Sequence, residues 1–294
     1  MTKSLVTGGA GFIGSNLVDK LLEGGHEVIV FDNETANTHD GYYWNEKAEN
    51  YHVDLAQNHS FNLLQTYCKD VDCIFHMAAD ISVQYSIESP FESYSNNINS
   101  LFNVLEFAKR YKIGKVVFSS SAAVFGVTDK VCVETDATDP LNAYALSKLN
   151  GEQIMKMYYD LYGISTVSLR YFNVYGPRQS NTGQYAPVVG IFQKQKENNS
   201  ALTIVGDGEQ TRDFVHVHDV ADANILLAES DATGVYNVGT GVEYSVNQIA
   251  NMISDVQRNV PPRVGEARRS LADSSKLRSL GWEPKVKLED WVNV

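Results

Sequence analysis

The chain has 294 residues, 43% hydrophobic and 20% charged, with a formal net charge of -12. That suits a globular protein of one large or two modest domains with a sizeable core. The acidic balance argues against nucleic acid or an anionic membrane as partner, because neither phosphate surface would be neutralised, so an anionic substrate would have to be met by local arginines. The three cysteines, Cys68, Cys73 and Cys132, are odd in number and lack a paired-cluster spacing. Neither a disulfide framework nor a zinc site is indicated, and a reduced, cytoplasmic setting is expected. No apolar run is long enough for a signal peptide or a membrane span, which predicts a soluble protein.

In chain order, Lys3–Thr7 reads as a short buried strand, followed by Gly8-Gly9-Ala10-Gly11-Phe12-Ile13-Gly14 and a helix over 14–23 with Ile13, Leu17, Leu21 and Leu22 on its inner side. Residues 27–31 form a second apolar strand ending at Asp32, and 71–77 and 115–119 give two more, each after a helical stretch. This alternation predicts an α/β fold built on a doubly wound parallel sheet of Rossmann type. Residues 96–110 and 143–162 read as the longest helices of this half. Their apolar faces (Ile98, Leu101, Val104, Leu105; Ile154, Met155, Met157, Tyr158) suggest packing against a second copy. After a strand at 165–171 the pattern loosens into 173–187, rich in Gly, Pro, Asn and Gln. The expected organisation is a cofactor domain over 1–172 and a smaller C-terminal α/β substrate domain over 173–294, with some segments returning to the first.

Gly8, Gly11 and Gly14 fall directly between strand and helix, a spacing that lets backbone approach a pyrophosphate at the helix N-terminus. Asp32, ending the second strand, can accept hydrogen bonds from ribose hydroxyls and would repel a 2′-phosphate, which favours NAD over NADP. The carboxylate of Asp54-Leu55, after the next short strand, can serve an adenine amino group or cap its own loop. Tyr144 and Lys148 stand at i and i+4 of a helix, so the ammonium lies near the phenol. A free phenol has a pKa of about 10; a nearby cation favours its charged form, and such a Tyr can take a proton from a sugar hydroxyl near neutral pH. His216 and His218 fall on one face of a possible strand, a spacing open to a metal, but no third ligand is evident and none is expected.

With the glycine turn, Ser119-Ser120-Ser121 and the Tyr/Lys pair in this order, the chain resembles the extended short-chain dehydrogenase/reductases, and within them the nucleotide-sugar 4-epimerases. Further matching pieces are His76-Met-Ala-Ala79, Asn97, Arg170 to Arg178, Gly206 to Asp213 and Leu280 to Pro284. The resemblance implies that Ser121 is the catalytic serine beside Tyr144 and that Lys148 also holds the nicotinamide ribose. It implies that Ala78 and Ala79 leave room for the cofactor, that Asn97 shapes the site, and that Phe12, Ile13, Asn33, Leu55, Ser119 and Tyr171 add contacts to it. On the substrate side it implies Asn173, Arg212 and Arg263 for the nucleotide diphosphate, Ser82 and Val83 for the sugar, and Ser270 at the hexose wall. Two arginines are sensible clamps for a diphosphate in so acidic a chain. Departures from the family pattern are Phe125 for Tyr, Ser100 for Gly and Glu266 for Asp.

The activity implied is 4-epimerisation of a UDP-hexose through a 4-keto sugar, N-acetylated hexoses included because Ser270 leaves space where a Tyr would close it, in a homodimer as relatives pair. A 4,6-dehydratase, decarboxylase or 4-reductase on the same scaffold is the alternative. Those relatives place an acid just after the catalytic Ser/Thr, where this chain has Ala122 and Ala123. A non-catalytic NAD-binding regulator is a third reading, against which Ser121, Tyr144 and Lys148 are all present.

Overall fold

The computed structural model describes residues 2–36, 41–181, 187–262 and 268–292. The first half alternates β1 (Lys3–Thr7), α1 (Phe12–Glu23), β2 (Glu27–Asp32), β3 (Glu49–His52), α2 (Ser60–Tyr67), β4 (Cys73–His76), α3 (Val83–Glu88), α4 (Pro90–Tyr111) and β5 (Lys115–Ser121). Then follow β6 (Val131–Cys132), α5 (Ala143–Tyr162), β7 (Ser165–Tyr171), β8 (Asn173–Tyr175), α6 (Val188–Glu197), β9 (Leu202–Val205), β10 (Thr211–His216) and α7 (Val217–Ala228). The chain closes with β11 (Gly234–Val238), β12 (Glu243–Ser245), α8 (Val246–Ile253), β13 (Gln257–Val260), β14 (Arg269–Ala272), α9 (Ser275–Arg278) and α10 (Leu288–Val292).

A seven-stranded parallel sheet in the order β11-β7-β5-β4-β1-β2-β3 forms the centre. Its inner strands read as continuous apolar runs because helices cover both faces. One core layer packs α1 and α7 on the sheet through Leu17, Leu21, Val220 and Leu227; the other packs α2, α4 and α5 through Leu64, Leu101, Leu105 and Met155. Strand order reverses between β1 and β4, and at such a switch point the loops after the two strands part to leave a crevice. The glycine turn follows β1 and the Ala78-Ala79 segment follows β4, so both predicted cofactor loops open on one crevice.

The sheets do not divide the chain at residue 172. β11 joins the large sheet, while β6 contributes to a second, five-stranded sheet of β12-β10-β14-β6 with β8 beside β10. A third, smaller core around Tyr175, Phe192, Phe214 and Ile249 stabilises that lobe. Trp282, in the Leu280 to Pro284 segment, is buried in the large core, its indole N–H donating to the Asp219 carbonyl at 2.9 Å. Among the described residues no helix is long and apolar enough to cross a membrane, and the three cysteines are free and buried.

Several boundaries differ from the sequence reading. The helix expected over 96–110 begins at Pro90, where a first-turn proline loses nothing because that N–H has no helical partner. Its early buried positions are Ser93, Asn97 and Ser100, so the apolar period that marks a helix starts only at Leu101. The segment over 173–187 holds β8. His216 and His218 do not share a strand face: β10 ends at His216, whose Nδ1 accepts the His218 N–H at the start of α7, and the two rings meet edge to face. The apolar residues assigned to packing with a second copy are largely internal, since Leu101, Val104, Leu105, Met155 and Tyr158 are buried in the chain's own core. The exposed apolar stripe shares only Met157 with that reading and otherwise lies beside it, with Phe91 and Phe102 on α4 and Leu146 and Leu161 on α5.

Candidate active site

A cavity of about 610 Å³ lies over the crevice at the ends of β1, β2, β4 and β5. Its walls include every residue predicted for the cofactor: Gly8, Gly11, Phe12, Ile13, Gly14, Asp32, Asn33, Asp54, Leu55, Ala78, Ala79, Asn97, Ser119, Tyr144, Lys148 and Tyr171.

Backbone packing shapes the β1 end. Gly8 has φ +67°, and a Cβ there would lie 2.7 Å from the Ala78 nitrogen; one at Gly14 would lie 2.1 Å from the Gly8 carbonyl. Only glycine fits either position. Helix α1 starts at a Gly11 N-cap that offers no side chain, so the first-turn N–H groups face the cavity as a ready anion site. Thr7 Oγ1 lies 2.9 Å from His76 Nδ1 and accepts the Ala78 N–H at 3.2 Å, which ties the β1 and β4 loops together. Asp32 accepts the N–H groups of Ala10 at 3.1 Å and Glu34 at 2.9 Å, fixing its carboxylate at the cavity wall. Asp54 caps its own turn through Ala56 N and Gln57 Nε2, and lines the cavity as well. Asn97 spends its amide on the Asp80 backbone and the Ser147 hydroxyl, so it joins the β4 loop to α5.

At the β5 end, Asn142 caps α5 through the Ala145 N–H and sets the helix that carries Tyr144 and Lys148. Gly151 lets that helix lie against Phe118 of β5, where a Cβ would come within 2.5 Å of the ring. Lys148 is buried, with its Nζ 2.7 Å from the Ser119 carbonyl and 5.8 Å from the Tyr144 ring centre. Burial pushes this ammonium down to about 7. Burial likewise raises the Tyr144 phenol, and a hydrogen bond with Ser121 works the other way. In the protein alone, then, the Tyr/Lys pair rests with the phenol protonated, contrary to the simple expectation that the lysine by itself makes a phenolate. Tyr171, also pushed up by burial, donates to Asn224 at 2.8 Å beside Ser119.

The substrate-side residues are less gathered. Ser82 lines the cavity and caps α3 through the Tyr85 N–H; Val83, the first residue of that helix, is exposed and off the wall. Asn173, Arg212 and Ser270 also stand outside the cavity lining. Asn173 donates to the Asp213 carbonyl at 3.1 Å, and Arg212 pairs with Ser270 in the parallel β10–β14 register, so these three share one corner of the second sheet. Arg263 and Glu266 lie outside the described residues. Lining residues that sequence reasoning missed include Asp80, Tyr85, Asn96 and Phe172. Of these, Asp80 lies in the loop after β4, Tyr85 on α3 and Asn96 on α4, the helix whose start was misplaced; Thr35, Tyr42 and Ala56, near β2 and β3, were missed as well. Among the described residues no group of three or more His, Cys, Asp or Glu could hold a metal.

Residues 4–239 match the NAD dependent epimerase/dehydratase family. The chain belongs to that family. It is therefore an NAD-dependent enzyme of the epimerase type within the extended short-chain dehydrogenase/reductases. A putative UDP-glucose 4-epimerase of Methanocaldococcus jannaschii is 41% identical over 296 residues, covering 98% of this chain and 95% of the relative. Two solved structures, each 36% identical and covering 99% of this chain and 96% of the other, superpose with TM-scores of 0.92. One is a UDP-N-acetylglucosamine 4-epimerase from Methanobrevibacter ruminantium M1 in complex with UDP-N-acetylmuramic acid, the other a UDP-glucose 4-epimerase from Thermotoga maritima with UDP-glucose. The cavity of this epimerase suits NAD on its own geometry: amides at a helix N-terminus for a diphosphate, a fixed carboxylate for ribose hydroxyls, and a buried ammonium bonded to one carbonyl, ready to donate to another oxygen.

Proposed function

We propose that the protein interconverts the C4 epimers of UDP-hexoses. The observation that carries this reading is the convergence of Ser121, Tyr144 and Lys148 at one end of a cavity whose other end is the glycine turn and Asp32. When bound there, NAD supplies an acceptor for hydride from C4 of the sugar and a donor to return it. Tyr144 takes the C4 hydroxyl proton and gives it back, and the Ser121 hydroxyl holds the same sugar oxygen. With the cofactor bound, the lysine would donate to its ribose, replacing the solvent lost on burial and favouring its charged form, and that charge would lower the phenol. Ala122 and Ala123 follow Ser121 in a short 3-10 turn, so neither of the two residues after it supplies a carboxylate for the elimination of a 4,6-dehydratase.

Inversion requires the 4-keto sugar to present its other face, so the nucleotide must stay fixed while the hexose turns. We assign that anchoring to Asn173, Arg212 and Arg263, in the part of the chain after residue 172. The two solved neighbours act on plain and N-acetylated sugars by name and are equally similar to this chain. Ser270, a small side chain beside Arg212 in register, supports acceptance of both here. The exposed stripe of Phe91, Phe102, Leu146, Met157 and Leu161 supports a homodimer through paired α4 and α5 helices; sedimentation showing only monomer at micromolar concentration would refute it. The activity is tested by incubating the protein with UDP-glucose, UDP-galactose, UDP-N-acetylglucosamine and UDP-N-acetylgalactosamine in turn. Conversion within both pairs is expected; no conversion of any of the four would defeat the reading.

A further inference from the structure

The helical row that carries the catalytic pair does not end at Lys148. Glu152 stands one turn further, so Tyr144, Lys148 and Glu152 lie in line on α5 at i, i+4 and i+8. Each meets one of three consecutive serines at the end of β5. Tyr144 faces Ser121 across the cavity, Lys148 donates to the Ser119 carbonyl, and the Ser120 hydroxyl donates to Glu152 Oε1. From the other side Arg170 grips the same carboxylate, Nε to Oε1 at 2.9 Å and Nη2 to Oε2 at 2.7 Å, with both side chains 5% exposed. Arg170 is itself held: it is registered opposite Ser120 on β7, donates through Nη1 to the Glu134 carbonyl at 3.2 Å, and lies 4.7 Å from the Phe125 ring centre. A two-pronged pair of this kind fixes a carboxylate in orientation as well as place.

The proposed reaction uses neither charge. Nor is a buried ion pair needed for stability, since apolar residues of similar size often replace one without loss. We propose that Glu152, clamped by Arg170, is a positioning residue that holds α5 in register against Ser119–Ser121 and so fixes the Tyr144–Lys148 pair relative to Ser121. The clamp also keeps the carboxylate from Lys148. A free glutamate one turn along the row would compete for the ammonium, yet Lys148 turns to Ser119 and Glu152 to Ser120 and Arg170. The kinetic part of this inference rests on the epimerase reading.

Arg170→Met, Glu152→Met/Arg170→Met and Ser120→Ala should be compared with wild type for Tm, kcat, KM and amide hydrogen exchange over residues 119–121 and 143–148. Arg170→Met strands a buried carboxylate and should lower Tm and kcat together. The double variant should recover Tm while kcat stays about 10-fold below wild type at unchanged KM. Ser120→Ala keeps the ion pair and removes only the strand's bond to it; it should lower Tm less than Arg170→Met does, keep KM, lower kcat roughly 3- to 10-fold, and speed exchange in those two segments alone. Recovery of kcat along with Tm in the double variant would overturn the inference, as would wild-type kcat or wild-type exchange in Ser120→Ala. If the double variant does not fold, Ser120→Ala decides alone. A wild-type protein that converts no UDP-hexose would sink the functional reading instead, and the exchange measurement would still decide this one.

Discussion

On the β1–β4 side of the cavity close backbone packing shapes the wall, whereas the rim proposed to anchor the nucleotide, outside that lining, is built from side chains on short strands. Gly8 and Gly14 pack so closely against Ala78 and against each other that no Cβ could be added, and the amides of α1 are aimed by the helix itself. Asn173, Arg212 and Ser270 instead sit on β8, β10 and β14, a frame pinned by the fully buried Asp213. Its carboxylate accepts the N–H groups of Thr240, Gly241 and Ala272. The first arrangement leaves no latitude and suits a partner that never changes. The second lets one side chain vary while the Asp213 frame stays, which suits a substrate whose sugar differs from one enzyme to the next. Failures on the first side should therefore be losses of cofactor or chemistry, and failures on the rim should be changes of preference.

The largest expected effect lies where the two sides meet. Tyr144→Phe keeps the ring and removes the titrating oxygen, so the fold should survive while turnover drops by about 100-fold or more; near wild-type epimerisation by this variant would refute the assignment of the base. Next comes Asp32→Ala. The wild-type carboxylate, fixed by Ala10 and Glu34, should make NAD bind much more tightly than NADP, and its removal should narrow the ratio by about 10-fold. Equal affinity of the wild-type protein for the two cofactors would show that Asp32 does not read the ribose.

The same division governs how much of the molecule was legible in its sequence. The glycine turn and Asp32 could be read because a parallel sheet puts its chemistry at strand ends, and strand ends are marked by local pattern, whereas Ser121, two residues past the expected end of β5, came from the family resemblance. The start of α4 could not, because the helix turns Ser93, Asn97 and Ser100 inward near the cavity and so lacks the apolar stripe by which helices are found. Apart from Met157, the exposed stripe of α4 and α5 was confused with the buried one, since sequence period gives the angle between two faces but not which of them meets the sheet. The rim is a matter of register between strands far apart in the chain, such as Arg212 against Ser270, and no local pattern encodes that.

A smaller effect would sharpen the account of the rim. Ser270→Tyr adds a ring beside Arg212 and should lower kcat/KM for the N-acetylated pair about 10-fold more than for UDP-glucose and UDP-galactose, because an acetamide needs room that a hydroxyl does not. Equal losses on both pairs would show that Ser270 does not set the pocket.

The smallest effect concerns Lys148 and is read from stability rather than turnover. Burial pushes its ammonium down to about 7, against an unfolded value of about 10.4. Between those values the unfolded chain binds more protons at this site than the folded one, so stability should rise with pH from 7 upward; below 7 both states hold the proton and the cost of burying it is felt in full. Tyr144, Cys68 and Cys73 shift the opposite way, all raised by burial, and lower stability only as pH passes their unfolded values of about 8.5 to 10. In the window from pH 7 to about 8.5 these groups are silent, and comparison with Lys148→Met cancels Lys115 and Lys276, which burial also pushes down. There, cofactor-free wild type should gain stability relative to Lys148→Met by up to about 1 kcal/mol per pH unit. Saturating NAD should flatten that slope, because a ribose oxygen would partner the ammonium and raise its pKa. Parallel curves for wild type and variant would show that no buried charge is held at this position, and with it would go the argument that the cofactor, rather than the lysine alone, readies Tyr144 as a base.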